Sequence, residues 1–196
     1  MKVLKSLFDR FLFRHQHVCP WWLCFTFDNI FRKLFHNPDD ILASYIHSGS
    51  TVLDIGAGMG YFTIPIARLV GNTGKVIAAD LQKEMLQVVA HRARKANLES
   101  RIVPHLCTPD RIGINEAMDF CLAFWMVHEV SDQHHFLSEV LSILKINGLL
   151  LLVEPKMHVT RHSFAETLNI AKSVGLSIIN QPEILFSYSA LLKRKE

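Results

Sequence analysis

The run Thr51-Val52-Leu53-Asp54-Ile55-Gly56-Ala57-Gly58-Met59-Gly60 joins a short apolar stretch to three glycines at alternate positions. Its first half has the β-branched, apolar character of a buried strand. Its second half has the residues of a tight turn, since glycine enters left-handed backbone conformations without a Cβ clash. A helix placed after such a turn offers unbonded N–H groups and a positive dipole end to a carboxylate or phosphate. A dinucleotide fingerprint needs G-x-G-x-x-G. Here the spacing is G-x-G-x-G, and Asp54 stands two positions before the first glycine.

Outward from this turn, strand-like and helix-like segments alternate. Apolar strand patterns cover 51–55, 75–80, 101–106, 119–126 and 149–153, and two last strands at 176–180 and 186–193 pair antiparallel. Helical patterns cover 83–96, with Met85, Val88, Val89 and Ala93 on one face, 133–145, with Phe136, Leu137, Val140, Leu141 and Leu144, and 163–174. The helix after the glycine turn begins near Thr63, because Pro65 is tolerated only in a first turn. Strands alternating with helices predict an α/β doubly wound, mostly parallel sheet, with an antiparallel strand near the C-terminus. Ligands of such sheets lie beyond the carboxyl ends of the strands, at the point where strand order reverses. One domain over 1–196 is expected, with an aromatic, partly helical extension at 1–48 before a core at 49–196.

Composition narrows the class. Hydrophobic residues make up 49% and charged residues 20%, the balance of a globular chain with its own core. A net charge of +3 argues for neither a nucleic-acid nor a strongly acidic partner. Cys19, Cys24, Cys107 and Cys121 form no disulfide framework, and the C-x4-C spacing of the first two is not a zinc-knuckle pattern. A cytoplasmic, reducing location is therefore expected. No apolar run is long enough for stable membrane insertion, and Asp9, Arg10 and Arg14 interrupt what would be a signal sequence. Oligomeric state has no signature in the sequence.

Residues 52–61 closely resemble the first motif of class I S-adenosylmethionine-dependent methyltransferases, and the likeness extends over roughly 40–195. It implies a Rossmann-like fold and S-adenosylmethionine as cofactor. By the resemblance, Asp54 helps hold the methionine ammonium, and Gly56, Gly58 and Gly60 pass beneath methionine and ribose. Asp80, ending the second strand, matches the residue that holds the ribose hydroxyls, and Leu81 would pack on adenine. Leu144-Lys145-Ile146-Asn147-Gly148 resembles the family's L-K-P-G-G turn, with Ile and Asn replacing Pro and Gly. Where the family often has an acidic residue after the third strand, this chain has Leu106-Cys107-Thr108-Pro109-Asp110, so either Cys107 or Asp110 takes the adenine contact.

The implied activity is in-line methyl transfer to a small-molecule acceptor. The cofactor brings the reactive group, and the protein aligns the acceptor and excludes water. The alternatives are a cofactor-binding protein without transfer, a nicotinamide oxidoreductase, and a transferase acting on a thiophilic metalloid such as arsenite through Cys19 and Cys24. The candidate acceptor residues are Phe124, Trp125 and His128 after the fourth strand, with Phe124 also near the cofactor and His128 as base or orienting group. Glu129 reads equally as a solvated residue. After the fifth strand come Glu154 and His158, which with His128 form an alternative metal trio. Trp21, Trp22, Phe25 and Phe27 suit a helical lid over the cleft, a cover for one sheet face, or, with Lys2, Lys5, Arg10 and Arg14, a segment lying on a membrane.

Overall fold

The computed structural model describes residues 35–195. The aromatic and Cys/His clusters of the N-terminal extension lie outside the described residues, which begin at Phe35. Short helix α1 (Pro38–Leu42) opens the described chain. Pro38 begins it, because a first-turn proline lacks only an N–H that would be unbonded anyway. The core then runs β1 (Thr51–Ile55), α2 (Thr63–Leu69), β2 (Lys75–Asp80), α3 (Lys83–Lys95), β3 (Ile102–Leu106), β4 (Met118–Phe124), α4 (Gln133–Ile143), β5 (Leu144–Pro155), α5 (Arg161–Val174), β6 (Leu176–Asn180) and β7 (Ser187–Arg194).

The strands form one sheet in the order β3-β2-β1-β4-β5-β7-β6. The first five are parallel, and β7 runs antiparallel to both β5 and β6. Two apolar layers cover the faces, and each central strand divides its side chains between them. On β5, Leu150 and Leu152 join the layer under α4 and α5, while Leu151 and Val153 join the layer under α1, α2 and α3. Period-2 alternation sends neighbours to opposite faces, so a strand covered on both reads as an unbroken apolar run. Truncating any one of these fully buried leucines to alanine costs about 2–5 kcal/mol.

Several boundaries differ from the sequence reading, and three of them have a clear local cause. Strand β4 stops at Phe124 rather than 126, because Trp125 takes φ 61, a left-handed conformation that turns the chain away from the sheet. Helix α4 stops at Ile143, since Leu144 is extended at φ −69, ψ 130. Strand β5 therefore starts at Leu144, and residues 145–148 bulge between the pairs Met118–Leu144 and Phe120–Leu149. The bulge places Lys145 Nζ 2.8 Å from each carboxylate oxygen of Asp119, and Asp119 also accepts the N–H of Thr51. That ion pair locks the amino ends of β1, β4 and β5, so the carboxyl ends that carry the site are referenced to one another.

Candidate cofactor and acceptor site

Strand order reverses between β1 and β4, and the glycine turn lies at that point. The N–H groups of Gly56 and Ala57 both donate to the carbonyl of Ala79, which ties the turn to the end of β2. Gly56, Gly58 and Gly60 all have positive φ, 69°, 53° and 83°. The first two serve different ends. A Cβ on Gly56 would lie 3.0 Å from Cβ and Cγ of Met126, so this glycine lets the loop after β4 close against the turn. A Cβ on Gly58 would meet nothing within 4 Å, so the space above it is open.

Two carboxylates stand at the strand ends on either side of the turn's hydrogen bonds to β2, Asp54 in β1 and Asp80 in β2. Alternation along β1 puts the buried Asp54 on the α2 side, where Oδ2 accepts the hydroxyl of Thr63 at 2.5 Å. Asp80 ends β2, with Oδ2 accepting the N–H of Gly58 and Oδ1 that of Gln82, both at 2.8 Å. Burial pushes its carboxyl above the ordinary value, while the N–H groups of Gln82, Gly58 and Leu81 pull the other way. An anionic group at the edge of an open cradle suits a ligand bearing hydroxyl or ammonium donors. The residues present thus fit the cofactor that the family resemblance implies. Leu81, beside Asp80, exposes 38% of an apolar side chain.

The structure separates the two candidates after β3. Cys107 is partly buried and donates its N–H to the carbonyl of Asp80 at 2.9 Å. Asp110 is exposed within the reciprocally bonded turn from Thr108 to Arg111. Burial, then the negative charges of Asp80 and Glu139, push the Cys107 thiol up to about 12, so it is neutral at physiological pH.

Beyond β4 the side chains diverge. Phe124 faces the α2 side and packs on Phe62 at 4.4 Å between ring centroids. Trp125 donates Nε1–H to the hydroxyl of Ser187 at 2.9 Å. Both rings meet His36 edge-on, at 5.4 and 5.0 Å. His36 is buried, with Nε2 2.7 Å from the carbonyl of Leu185, and Tyr61 donates its hydroxyl to the carbonyl of His36. Sequence reasoning missed His36, Tyr61 and Ser187. Phe124-Trp125 hinted at an aromatic cluster, but nothing local marked its partners from distant segments.

A second group of side chains beyond β4 and β5 is polar. Glu154, 1% exposed, accepts the N–H of Val127 at Oε1, 2.8 Å, and pairs through Oε2 with His128 Nδ1, 2.5 Å. His158 stacks parallel on His128, 5.9 Å between ring centroids. Burial lowers the tendency of His128 to take a proton, but the hydrogen bond and charge of Glu154, with the charge of Glu129, outweigh it and hold the imidazole above its ordinary value. Gln133 and Thr167 continue the network, with Gln133 donating to the carbonyl of Val127 and accepting the Thr167 hydroxyl. These groups line a pocket of about 650 Å³ together with Ser163, Glu166 and Asn169. Among the described residues, no group of three or more His, Cys, Asp or Glu is arranged to hold a metal, the trio His128, Glu154 and His158 included. None of their helices is long and apolar enough to cross a membrane.

Residues 46–183 match a family model described as a methyltransferase domain. The chain belongs to that family. The family and the Rossmann-like fold imply S-adenosylmethionine as its cofactor. A curated relative of this methyltransferase domain is the ubiquinone/menaquinone biosynthesis C-methyltransferase UbiE of Escherichia coli O1:K1. It is 29% identical over 112 residues, which are 57% of this chain and 45% of that protein. The match thus spans under half of the relative's length. Among solved structures, a SAM-dependent methyltransferase from Aquifex aeolicus superposes with a TM-score of 0.81 at 22% identity, over 89% of this chain and 98% of that one. A TehB-like SAM-dependent methyltransferase from Corynebacterium glutamicum gives 0.69 at 15% identity, over 89% and 94%. At these identities the two structures speak for the fold.

Proposed function

We propose that this chain transfers the methyl group of S-adenosylmethionine to a small aromatic acceptor. The observation that carries the reading is the open space above Gly58, floored by the turn and edged by Asp80. The cofactor supplies an electrophilic methyl on a sulfonium, which an acceptor displaces in line. The protein's part is binding, alignment and exclusion of water. Asp80 receives the ribose hydroxyls, Asp54 faces the ammonium, Leu81 covers one side of adenine, and Cys107 borders its edge. Phe124 and Trp125 close the cleft beside β4 with apolar surface. Their aromatic character, and the C-methylation in ubiquinone/menaquinone biosynthesis that names the Escherichia coli relative, support a ring-bearing acceptor.

Calorimetry with S-adenosylhomocysteine tests the reading. Each hydrogen bond to a charged partner contributes about 1.5–3 kcal/mol, so Asp80→Ala is expected to weaken binding tenfold or more. A thermal melt of the same variant separates lost binding from lost folding. Unchanged affinity, or NAD displacing S-adenosylhomocysteine in competition, overturns the assignment.

A further inference from the structure

The polar pocket joins segments that meet only in the fold: the loop after β4, the first residue of α4, the end of β5 with the loop that follows it, and α5. The loop after β4 connects it to the glycine turn. Met126, whose Cβ packs against Gly56, stands two residues before His128. His128 is held by one nitrogen only. Nδ1 meets Glu154, whose other oxygen is committed to the N–H of Val127, so the carboxylate is fixed at both ends. A buried carboxylate on Nδ1 selects the tautomer that leaves Nε2 as the proton-accepting nitrogen. The parallel stack with His158 sets the plane of the ring. About a quarter of the His128 side chain, 25%, remains exposed, so the ring is accessible to a ligand while its support is not.

The lining also selects charge. The carboxylates facing the pocket are Glu154 from β5 and Glu166 from α5, with Glu129 adding its field from the loop of His128 itself. Glu166 pairs with His162 one helical turn away, at 3.3 Å. Gln133, Ser163, Thr167 and Asn169 add neutral hydrogen-bonding groups, and no lysine or arginine is among the described lining residues. A carboxylate or phosphate acceptor would meet two acids and no fixed cation. A neutral hydroxyl or amine meets donors, acceptors and a base.

Given the transferase reading above, we propose that this pocket receives the acceptor as an uncharged O–H or N–H group and that His128 Nε2 removes its proton. The acceptor's oxygen or nitrogen forms the new bond to the methyl carbon. The carbon–sulfur bond breaks and its electron pair stays on sulfur, leaving the neutral thioether S-adenosylhomocysteine. The proton passes to Nε2, the imidazolium is stabilised by Glu154, and the proton then leaves to solvent. Gln133 and Thr167 are positioning residues, since they brace the backbone of Val127 rather than face the reacting atoms.

The test uses phenol, aniline and 4-nitrophenol as probes, the last already ionised at about pH 8.5, against wild type and His128→Asn. A positioned base contributes about 10²–10⁴-fold for an acceptor that must lose its proton. His128→Asn, whose amide can still donate to Glu154, is therefore expected to lose that factor with phenol, whereas aniline, whose neutral lone pair attacks before any proton is lost, is expected to lose less. With 4-nitrophenolate it is expected to lose less than tenfold, and its affinity for S-adenosylhomocysteine is expected to stay within twofold of wild type. Equal losses with phenol and 4-nitrophenolate, or full rate with phenol, overturn the role of His128. No methylated product from any probe, with S-adenosylhomocysteine still bound by wild type, overturns the pocket's assignment and leaves the cofactor reading intact. No binding of S-adenosylhomocysteine by wild type sinks the cofactor reading itself.

Discussion

The carboxyl ends of β1 and β2 and those of β4 and β5 are neighbouring parts of one sheet edge, yet they are built in opposite ways. The first is made mainly of backbone. A turn with φ values of 69°, 53° and 83° is tethered by its own N–H groups to Ala79, and Asp80 reaches back to Gly58. The second is made of side chains from separate segments, with His128 and Glu154 paired across 26 positions and α5 closing the wall. A backbone cradle suits a ligand common to a whole family, because few side chains need to be conserved to keep it. A side-chain pocket can change its occupant by single substitutions. The difference teaches where a fold stores its common chemistry and where it stores its specificity.

The sharpest way to break this contrast is at Gly58. Its Cβ would enter open space, so Gly58→Ala carries only the left-handed strain of about 1–2 kcal/mol in folding. If that space is the cofactor's, the added methyl occupies it. Affinity for S-adenosylhomocysteine is expected to fall about 100-fold, near 2.7 kcal/mol, while the melting temperature drops by only a few degrees. Calorimetry beside a thermal melt measures both. A variant that loses stability but not affinity would show that the open space is not the cradle.

Glu154→Gln probes the other end and should act through pH. In wild type the imidazole of His128 is held above its ordinary value, so the acid limb of the kcat profile is expected above about pH 6.5. Removing the carboxylate charge leaves burial as the main influence, which disfavours the imidazolium, and the limb should move to lower pH. Because the folded value is raised, His128 adds stability that is fully present below its unfolded value. That stability disappears as pH rises through the folded value. In the variant the melting temperature should lose this decline across the same window. A profile that does not move in Glu154→Gln separates the titrating group from His128.

The two ends also differed in what the sequence disclosed. Strands and helices follow from period and turn chemistry, and the candidate cofactor residues Asp54, Gly58 and Asp80 from the resemblance of a motif, all of which are local. The errors arose where a single backbone angle or a distant partner intervenes. Trp125 ends β4 through φ 61, and a tryptophan gives no local warning of left-handed backbone. Lys145 leaves α4 because Asp119, 26 residues earlier, holds its ammonium in the bulge. His128 and Glu154 each stood out, yet their pairing depends on β4 and β5 being adjacent in register, Phe124 beside Val153. His36 gave no signal at all, since its environment is assembled from Tyr61, Phe124, Trp125 and Leu185.

The smallest effect concerns the edge proposed for adenine, where this chain has Cys107 and Asp110 at the place of the acidic residue that the family often carries. Cys107 lies against the carbonyl of Asp80, whereas Asp110 stands exposed in the following turn. With its thiol pushed up to about 12, Cys107 offers a neutral, weak S–H donor and polarizable surface rather than a charge. Its contact with adenine should therefore be worth under about 1 kcal/mol, so Cys107→Ala is expected to weaken S-adenosylhomocysteine three- to fivefold. Asp110→Asn should leave affinity within twofold, because an exposed side chain screened by water makes little difference to a buried base. The reverse order would mean that the turn from Thr108 to Arg111 folds inward when the cofactor binds. The cofactor end would then share the side-chain dependence of its neighbour, and the contrast between the two ends would be one of degree.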